Sequence, residues 1–414
     1  MKIKVERIKN DVLEIAKIGV QKEGVTRLAF TEEDLKARKL LIDIMHDANL
    51  NVTVDKAGNI IGSIGSFKNL MKPQKTVRQN IIIGSHIDTV PNGGKFDGVL
   101  GVCAGIECLR VLRENNYETR HPIEVVSFSD EEGSLTKGLF GSRALFGEAN
   151  GEEIYPLKRN LGWSKEIITR TGVRPNQLDE VSRNPTQIKA YLELHIEQGP
   201  VLDSKNIPIG IVKGITGIYR YGVEIFGEAN HAGTTLMEFR DDAVVKASKI
   251  ILYIPELIEK KRINDDYFVG TVGKIQAFPG AFNVIPGKVK CLLELRALKR
   301  DYFSSFMEDL QKFMADLNIL ALINEVARKE PVILQKEVQK VIEEVCKENN
   351  IEFHKMVSGA GHDAMVFARY VPTGMIFVPS KNGKSHCPEE QTEWSACGKG
   401  AQILLNTLVK IDQT

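Results

Sequence analysis

With 414 residues, of which 43% are hydrophobic and 26% charged, the chain has the composition of a globular protein large enough for two domains. Its 55 Lys and Arg residues nearly balance its 54 Asp and Glu residues, so the formal net charge is only +1. Because nucleic acids and anionic membranes are recognised through an excess of basic charge, this balance argues against both and favours a small solute as the partner.

The amino-terminal residues predict no export signal. Residues 1–20 mix charged and apolar side chains at helical spacing, so they never form an uncharged secretory core. No run of about 18 apolar residues, the length that crosses a bilayer, occurs in the sequence. The six cysteines include no CxxC pair, as is usual where thiols stay reduced. We therefore expect a cytoplasmic protein that does not bind membranes.

The first half of the chain alternates amphipathic helices with short apolar runs, which is the pattern of an α/β sheet. The runs at residues 81–83 and 123–128 each lead directly into a polar, glycine-rich loop. Between them, residues 101–114 place apolar side chains on one side of a predicted helix. These three segments predict a β–α–β unit, and such sheets bind ligands at the carboxyl ends of their strands.

The pattern changes near Gly214 and changes back after Pro331. The section between them predicts a ββαββα unit, a small sheet with helices on one face. Its predicted strands lie at residues 221–226, 267–276 and 288–298, and its helices at residues 241–261 and 302–317. We therefore predict a catalytic domain formed by residues 1–213 and 331–414, with an inserted domain of residues 214–330.

Two loops after the first predicted strands carry candidate metal ligands. His86 ends the first apolar run, and Asp88 follows on the same side of an extended chain, where it can orient the imidazole. Asp97 stands among glycines that allow close approach, so its carboxylate could bridge two cations. Taken singly, each feature is more often structural than functional.

Adjacent glutamates follow the second apolar run. Glu131 and Glu132 point to opposite sides of an extended segment, so one can bind metal while the other stays free. A hydrolase needs this division, because a metal acidifies the attacking water and a separate base accepts its proton. Two glutamates before a turn are otherwise common on protein surfaces.

Two further segments complete the pattern. Glu193, His195 and Glu197 share one face of an alternating stretch, which makes His195 a candidate ligand supported by carboxylates. A half-exposed strand without any function would show the same alternation. His386 lies in a loop after a later strand and could complete a second metal site. The coincidence of five such segments predicts a metal centre.

With these segments in order, the chain resembles the N-carbamoyl-L-amino-acid hydrolase and allantoate amidohydrolase family of the aminoacylase-like dinuclear metallopeptidases. The resemblance spans nearly the whole chain and includes further motifs at residues 227–235, 279–286, 294–296 and 358–364. It implies an α/β, zinc-peptidase-like catalytic domain. It also implies that the inserted domain is a ferredoxin-like α+β lid that joins two subunits in a homodimer.

The resemblance assigns metal-binding roles to five side chains. It implies that His86, Asp97 and His195 hold one divalent cation, and that Asp97 is shared with a second cation. Glu132 and His386 would complete that second site. Ligand sets of His and carboxylate accept Zn, Mn, Co or Ni, so the identity of the metal stays open.

The resemblance also implies catalytic and substrate-binding residues. Glu131 would be the general base, and His231 would stabilise the tetrahedral oxyanion. The guanidinium of Arg296 suits a substrate carboxylate. The substrate-binding residues that it implies are Gln198, His231, Asn283, Arg296 and Gly361.

Two positions depart from the motifs of this family. Ser134 is followed by Leu135-Thr136-Lys137 where relatives usually have Arg-Phe, and Leu236 stands where relatives often have proline. Neither change affects a predicted metal ligand. Substrate contacts from the first of these loops are not predicted.

The predicted reaction is hydrolysis of the carbamoyl or ureido C–N bond of an N-carbamoyl-L-amino acid or of allantoate. It would release ammonia, carbon dioxide and the amino acid, or ureidoglycine from allantoate. An aminoacylase or dipeptidase with the same metals is the first alternative, and a metal-binding relative without catalysis is the second. The presence of Glu131 disfavours the non-catalytic reading. A nicotinamide dehydrogenase is disfavoured because no GxGxxG follows an early strand.

Overall fold

The computed structural model describes residues 1–64, 79–154, 162–264 and 266–414, which divide into two compact units. Unit 1 consists of Met1–Lys213, Leu334–Met356 and His362–Thr414. Unit 2 consists of Gly214–Ile333 and Val357–Gly361. No helix among the described residues is long and apolar enough to cross a membrane.

The helices and strands of the described chain are numbered in chain order. The helices are α1 Val5–Ala16, α2 Glu32–Asp47, α3 Val99–Glu114, α4 Phe140–Ala144, α5 Lys165–Arg170, α6 Val201–Lys205, α7 Ala243–Lys261, α8 Asp301–Asp316, α9 Lys336–Glu348, α10 Asp363–Phe367 and α11 Trp394–Asp412. The strands are β1 Val20–Gln21, β2 Gly24–Val25, β3 Asn51–Val54, β4 Ile60–Ile64, β5 Asn80–His86, β6 Ile123–Phe128, β7 Ile188–Ile196, β8 Ile209–Ile215, β9 Gly217–Phe226, β10 Asn230–His231, β11 Phe268–Phe278, β12 Val284–Ile285, β13 Lys288–Ala297, β14 Ala321–Lys329, β15 Val332–Ile333, β16 Phe353–Ser358 and β17 Thr373–Val378.

Unit 1 contains a mixed sheet in which strands β8, β17, β7, β5, β6, β4 and β3 are neighbours in that order. Strands β17, β7, β5 and β6 run parallel to one another and are buried along almost their whole length. Continuous apolar runs are expected for parallel strands that are covered on both faces. The two apolar runs of the sequence are confirmed as β5 and β6, and the predicted helix between them as α3.

The helices of unit 1 bury their apolar sides against this sheet. Helix α3 is apolar on nearly all sides, and it is accordingly covered by β5, β6 and β7 as well as by α1 and α11. Helices α9 and α11 pack on β17. Because the central strands are parallel, the loops that follow β5, β6, β7 and β17 meet at one edge of the sheet.

Unit 2 contains a four-stranded antiparallel sheet in the order β11-β13-β9-β14, with α7 and α8 packed against it. Alternate side chains of β9 and β13 are buried with the apolar sides of both helices. The predicted ββαββα order was wrong, because the observed order is β–α–β–β–α–β. The sequence prediction missed β14, an edge strand whose side chains are largely exposed and therefore show little apolar alternation.

Candidate active site

The candidate metal ligands of the sequence analysis all lie in unit 1, at the edge of the sheet where the parallel strands end. His86 is the last residue of β5, and His195 lies one residue before the end of β7. Asp97 precedes α3 in the loop after β5, and Glu132 follows β6. His386 lies in the loop after β17. Residues far apart in sequence therefore meet because their strands are neighbours.

The two carboxylate oxygens of Asp97 face two different groups of side chains. Its Oδ1 lies 3.1 Å from His195 Nε2 and 3.7 Å from His86 Nε2. Its Oδ2 lies 3.0 Å from His386 Nε2, which is 3.5 Å from Glu132 Oε1. In each group the candidate ligand atoms lie within 4.8 Å of one another. This is the arrangement that a carboxylate bridging two cations requires.

Glycine at position 98 allows the first group to form. The backbone of Gly98 has φ +67°, which L side chains rarely adopt, and a Cβ atom there would lie 2.5 Å from the ring of His86. The amide of Gly98 also lies 3.2 Å from Nε2 of His195. The glycine-rich loop noted in the sequence therefore provides close approach between backbone and imidazole.

The site concentrates carboxylates that repel one another. Burial, and then the negative charge of Glu132, raise the pKa of Glu131 well above its usual value. Burial and the charge of Asp97 raise the pKa of Glu132 to about 8. Burial alone would also raise the pKa of Asp97, but hydrogen bonds with His195 and His386 hold that pKa well below its usual value.

The pKa is lowered for one of the three candidate histidine ligands and raised for the other two. Burial lowers the pKa of His86 to about 4, so its imidazole is neutral and able to bind a metal. Burial opposes charge on His195 as well, but its hydrogen bond with Asp97 raises the pKa to about 9. The hydrogen bond with Asp97 likewise raises the pKa of His386 to about 9. Divalent cations would replace these bound protons and relieve the repulsion between carboxylates, so the donor set fits metal ions.

Asp88 contacts residues of both candidate ligand groups: His86 in one, and the loop of Glu131 and Glu132 in the other. Nδ1 of His86 lies 3.0 Å from the main-chain carbonyl oxygen of Asp88 and 3.7 Å from its Oδ1. The carboxylate accepts hydrogen bonds from the main-chain amides of Glu131, at 3.4 Å, and of Glu132, at 3.2 Å. Asp88 therefore holds the imidazole through its backbone and the glutamate pair through its side chain.

We expect Asp88→Asn to weaken metal binding by about 10- to 100-fold, because loss of a partner that orients ligands typically has an effect of this size. The amide would present a donor to the two backbone N–H groups that the carboxylate now accepts from. Titration of the metal-free protein with Mn²⁺ in a calorimeter measures the effect. Asp316→Asn, at the exposed end of α8, is the control, and equal affinities in both variants would contradict this prediction.

Two buried residues lie beside His195: Glu193, which was predicted to support it, and His362, for which no role was predicted. Glu193 accepts hydrogen bonds from the hydroxyls of Ser85 and Tyr191, each at 3.0 Å, and from the amide of Ala364 at 2.9 Å. The ring of His362 lies 4.4 Å from that of His195 in an edge-on contact. With His195 these side chains form another group of closely spaced donor atoms. The motif at residues 358–364 was the available signal for His362.

Gln198 also lies at the second group of ligands. Its Nε2 donates to Asp97 Oδ2 at 3.0 Å and lies 3.3 Å from His386 Nε2. Its backbone has φ +59°, and its main-chain amide donates to the hydroxyl of Ser380 at 2.9 Å. The side chain of His386 is 48% exposed, whereas that of Asp97 is 6% exposed. His386 is therefore the most exposed of the candidate metal ligands.

The other predicted substrate-binding residues lie in unit 2. His231 on β10 pairs with Val284 on β12, and the amide of Ala232 donates to the carbonyl of Asn283 at 3.0 Å. Nδ1 of His231 accepts from the amides of Gly233, at 3.0 Å, and Thr234, at 3.2 Å. Because Nδ1 accepts, the proton of the neutral ring is on Nε2, which makes Nε2 a hydrogen-bond donor.

Arg296 lies on β13 and contacts the segment Val357–Gly361, which also belongs to unit 2. Its Nη1 donates to the carbonyl of Gly359 at 2.7 Å, and Gly361 follows two residues later. Its Nε donates to Glu294 Oε1 at 2.7 Å, while Arg220 donates to the other oxygen of Glu294 at 2.6 Å. The guanidinium is thus held in one orientation by a carboxylate and a carbonyl.

Comparisons with known proteins identify the family of the chain. Residues 82–410 match the family described as Peptidase family M20/M25/M40. The chain is 38% identical over 417 residues to the N-carbamoyl-L-amino acid amidohydrolase of Geobacillus stearothermophilus, covering 99% of each chain. It is 35% identical to the allantoate amidohydrolase of Escherichia coli strain K12, covering 94% of this chain and 93% of that one.

A solved structure of an amidase is similar to this chain over its whole length. The crystal structure of an amidase of the hydantoinase/carbamoylase family from Burkholderia multivorans superposes with a TM-score of 0.85 at 30% sequence identity. The match covers 100% of this chain and 99% of that chain.

Proposed function

Because this chain belongs to peptidase family M20/M25/M40, and within it to the hydantoinase/carbamoylase amidases, we propose that it hydrolyses the carbamoyl or ureido C–N bond of a small carboxylate. The substrate is an N-carbamoyl-L-amino acid or allantoate, and the products are ammonia, carbon dioxide and the amino acid, or ureidoglycine. The observation that carries this proposal is the position of Asp97 between two groups of candidate metal ligands. Both of its oxygens face candidate ligand groups, while Glu131 lies at their edge.

We assign two divalent metal ions to the two groups. His86, Asp97 and His195 would hold one ion, and Asp97, Glu132 and His386 the other. When bound, the ions supply Lewis acidity, which lowers the pKa of a water and polarises the carbonyl of the substrate. The ligands include no cysteine, so Zn, Mn, Co and Ni all suit the donor set.

Glu131 is the group that moves the proton. Its Oε2 lies 3.6 Å from Nε2 of His86, and its carboxyl is buried. As the general base, its carboxylate accepts a proton from the attacking water. The same carboxyl then delivers that proton to the departing nitrogen. The carbamate that is released decomposes to ammonia and carbon dioxide.

We assign substrate binding to Gln198, His231, Asn283, Arg296 and Gly361. The Nε2–H of His231 is a donor for the oxyanion of the tetrahedral intermediate, a role worth about 3 kcal/mol for a well-placed group. Arg296 binds the carboxylate of the substrate through its planar fork. Asn283 supplies an uncharged partner for the same carboxylate.

We expect Arg296→Ala to raise KM for N-carbamoyl-L-methionine by about 10- to 100-fold, because a hydrogen bond to a charged group contributes about 1.5–3 kcal/mol. Steady-state ammonia release measures the change. The carboxamide of the same substrate lacks the charge, so its hydrolysis should change little. Arg220→Ala, which removes the other arginine that contacts Glu294, is the matched control. Equal losses in both variants would contradict the assignment.

Unit 2 has the β–α–β–β–α–β order of a ferredoxin-like domain, and we assign it the roles of lid and dimerisation domain. Its strand β14 supports the second role, because among the described residues it lies at the edge of the sheet, and an edge strand is a template for pairing with another chain. Leu322 and Val326 on that strand are 55% and 62% exposed.

We further place the enzyme in the cytoplasm, since its cysteines form no disulfide among the described residues.

The test of the proposed function is metal-dependent ammonia release. The purified protein is stripped with a chelator and reloaded separately with Mn, Co, Ni and Zn. It is then assayed with N-carbamoyl-L-methionine, allantoate and N-acetyl-L-methionine, with acetate measured for the last. Ammonia from a ureido substrate supports the proposal, and the preferred compound identifies the substrate. Acetate release alone would instead make the protein an aminoacylase, and no activity with any metal would overturn the assignment.

A further inference from the structure

Glu390 is a buried carboxylate that connects two loops of the candidate metal centre. It lies in the loop that carries His386 and is 3% exposed. Its Oε1 accepts hydrogen bonds from the main-chain amides of Phe96, at 2.8 Å, and of Asp97, at 3.1 Å. Its Oε2 accepts from the hydroxyl of Ser385, at 2.9 Å. One side chain therefore contacts the backbone of Asp97 and the residue next to His386.

The loop of Asp97 has room for this carboxylate only because position 94 is glycine. A Cβ atom on Gly94 would lie 2.1 Å from Glu390 Oε1 and 2.3 Å from its Cβ. A Cβ atom on the neighbouring Gly93 would lie no closer than 3.2 Å to any atom, and its nearest neighbour would be Val90. A side chain at position 94 would therefore collide with Glu390, whereas a methyl group at position 93 would not contact it.

Asp97 and Glu390 are 293 residues apart in sequence, yet the geometry of both ligand groups depends on where Asp97 lies relative to His386. Two main-chain amides donate to one oxygen of Glu390 and a hydroxyl donates to the other, so its carboxyl group is an acceptor shared by the two loops. A carboxylate that accepts from both loops holds the two together at a fixed separation. Asp88 accepts hydrogen bonds from main-chain amides of the loop of Glu131 and Glu132 in a comparable way. Each of these two loops of the candidate metal centre therefore contacts a buried carboxylate.

We propose that Glu390 is a positioning residue that couples the loop of Asp97 to the loop of His386 and so sets the affinity of the site for its metal ions. This proposal rests on the proposed two-ion function of the site. It assigns Glu390 no contact with substrate or metal. Its role is exerted through the backbone of Asp97 and through Ser385.

The test compares Glu390→Gln with Glu389→Gln, the adjacent and exposed glutamate on the same loop. Gln keeps the size of the side chain but replaces one acceptor oxygen with a donor. Zn²⁺ binding is measured by competition with a chromophoric chelator, at a temperature well below the melting temperature of each variant. We expect the affinity to fall by about 10- to 100-fold in Glu390→Gln and to be unchanged in Glu389→Gln.

A loss of stability alone would lower the melting temperature of Glu390→Gln but leave the Zn²⁺ affinity of the folded protein at the wild-type value, and that result would overturn the proposal. The positioning role also predicts that excess metal restores kcat, with the activation curve shifted by the same factor. If the protein proves to hydrolyse no ureido substrate, the proposed function fails, while the Zn²⁺ competition still tests Glu390.

A second pair of variants reaches the same contact from the other loop and decides the question if Glu390→Gln does not fold. Gly94→Ala keeps the carboxylate but displaces it, whereas Gly93→Ala adds the same methyl group away from it. We expect Gly94→Ala to reduce Zn²⁺ affinity in the direction of Glu390→Gln, and Gly93→Ala to bind as the wild type does. Wild-type affinity in Gly94→Ala would overturn the proposal.

Discussion

Replacing Glu131 with Gln is expected to abolish hydrolysis while leaving the bound metal in place. Glu131 lies beside the ligand groups, with its Oε2 3.6 Å from Nε2 of His86, and a glutamine there cannot accept a proton from water. General base catalysis contributes about 10²- to 10⁴-fold to the rate, and the same group is needed to protonate the leaving nitrogen. We therefore expect kcat to fall by at least this factor, measured by ammonia release from the preferred ureido substrate.

Metal content separates this role from a rival one. Glu131 also lies close enough to His86 and Glu132 to be counted with them as a group of donor atoms. If Glu131 were a ligand, the Gln variant would lose metal together with activity. Glu132→Gln is the matched control, because the adjacent glutamate is the proposed ligand and its variant should lose metal. Full activity in Glu131→Gln would remove Glu131 from the mechanism.

Replacing Asp97 with Asn is expected to remove both ions and all activity. Each oxygen of Asp97 faces a different histidine group, and hydrogen bonds from His195 and His386 keep its pKa well below the usual value. An amide supplies only one neutral acceptor, so neither group keeps its shared anion. The loss of affinity should exceed the 10- to 100-fold that follows from loss of an orienting partner.

The measurement is metal content after chelation, reloading and gel filtration, for wild type, Asp97→Asn and the surface control Glu389→Gln. We expect the wild type and Glu389→Gln to carry two ions per chain and Asp97→Asn to carry neither. An Asp97→Asn protein that keeps one ion with wild-type affinity would mean that Asp97 belongs to a single site. The bridging assignment would then be wrong.

Much of unit 1 could be predicted because its strands and helices have strong periodic patterns. The runs that became β5 and β6 are buried on both faces, so nothing interrupts their apolar sequence. Strand β14 was missed for the opposite reason, since an exposed edge strand has little need for apolar side chains. The order of the small sheet was wrong as a consequence.

The candidate donor residues could be selected from the sequence because each follows a recognisable strand or motif. The contacts among them were not, because they depend on which loops the fold brings together. Asp88 holds His86 through a carbonyl, and no sequence pattern distinguishes that contact from one made by the carboxylate. His362 lies in one of the family motifs, but its ring contact with His195 depends on the fold and is not visible in the sequence.

By itself the sequence determined the family, the α/β character of unit 1 and the residue types of the candidate metal centre, because these follow from local periodicity and from motifs. The tertiary structure decided which oxygen of Asp97 faces which histidine, and that Glu390 reaches the backbone of a loop 293 residues away. The physical reason is that hydrogen bonds depend on distances of a few tenths of an ångström. Such distances are set only when parallel strands lie side by side and align the loops at their ends.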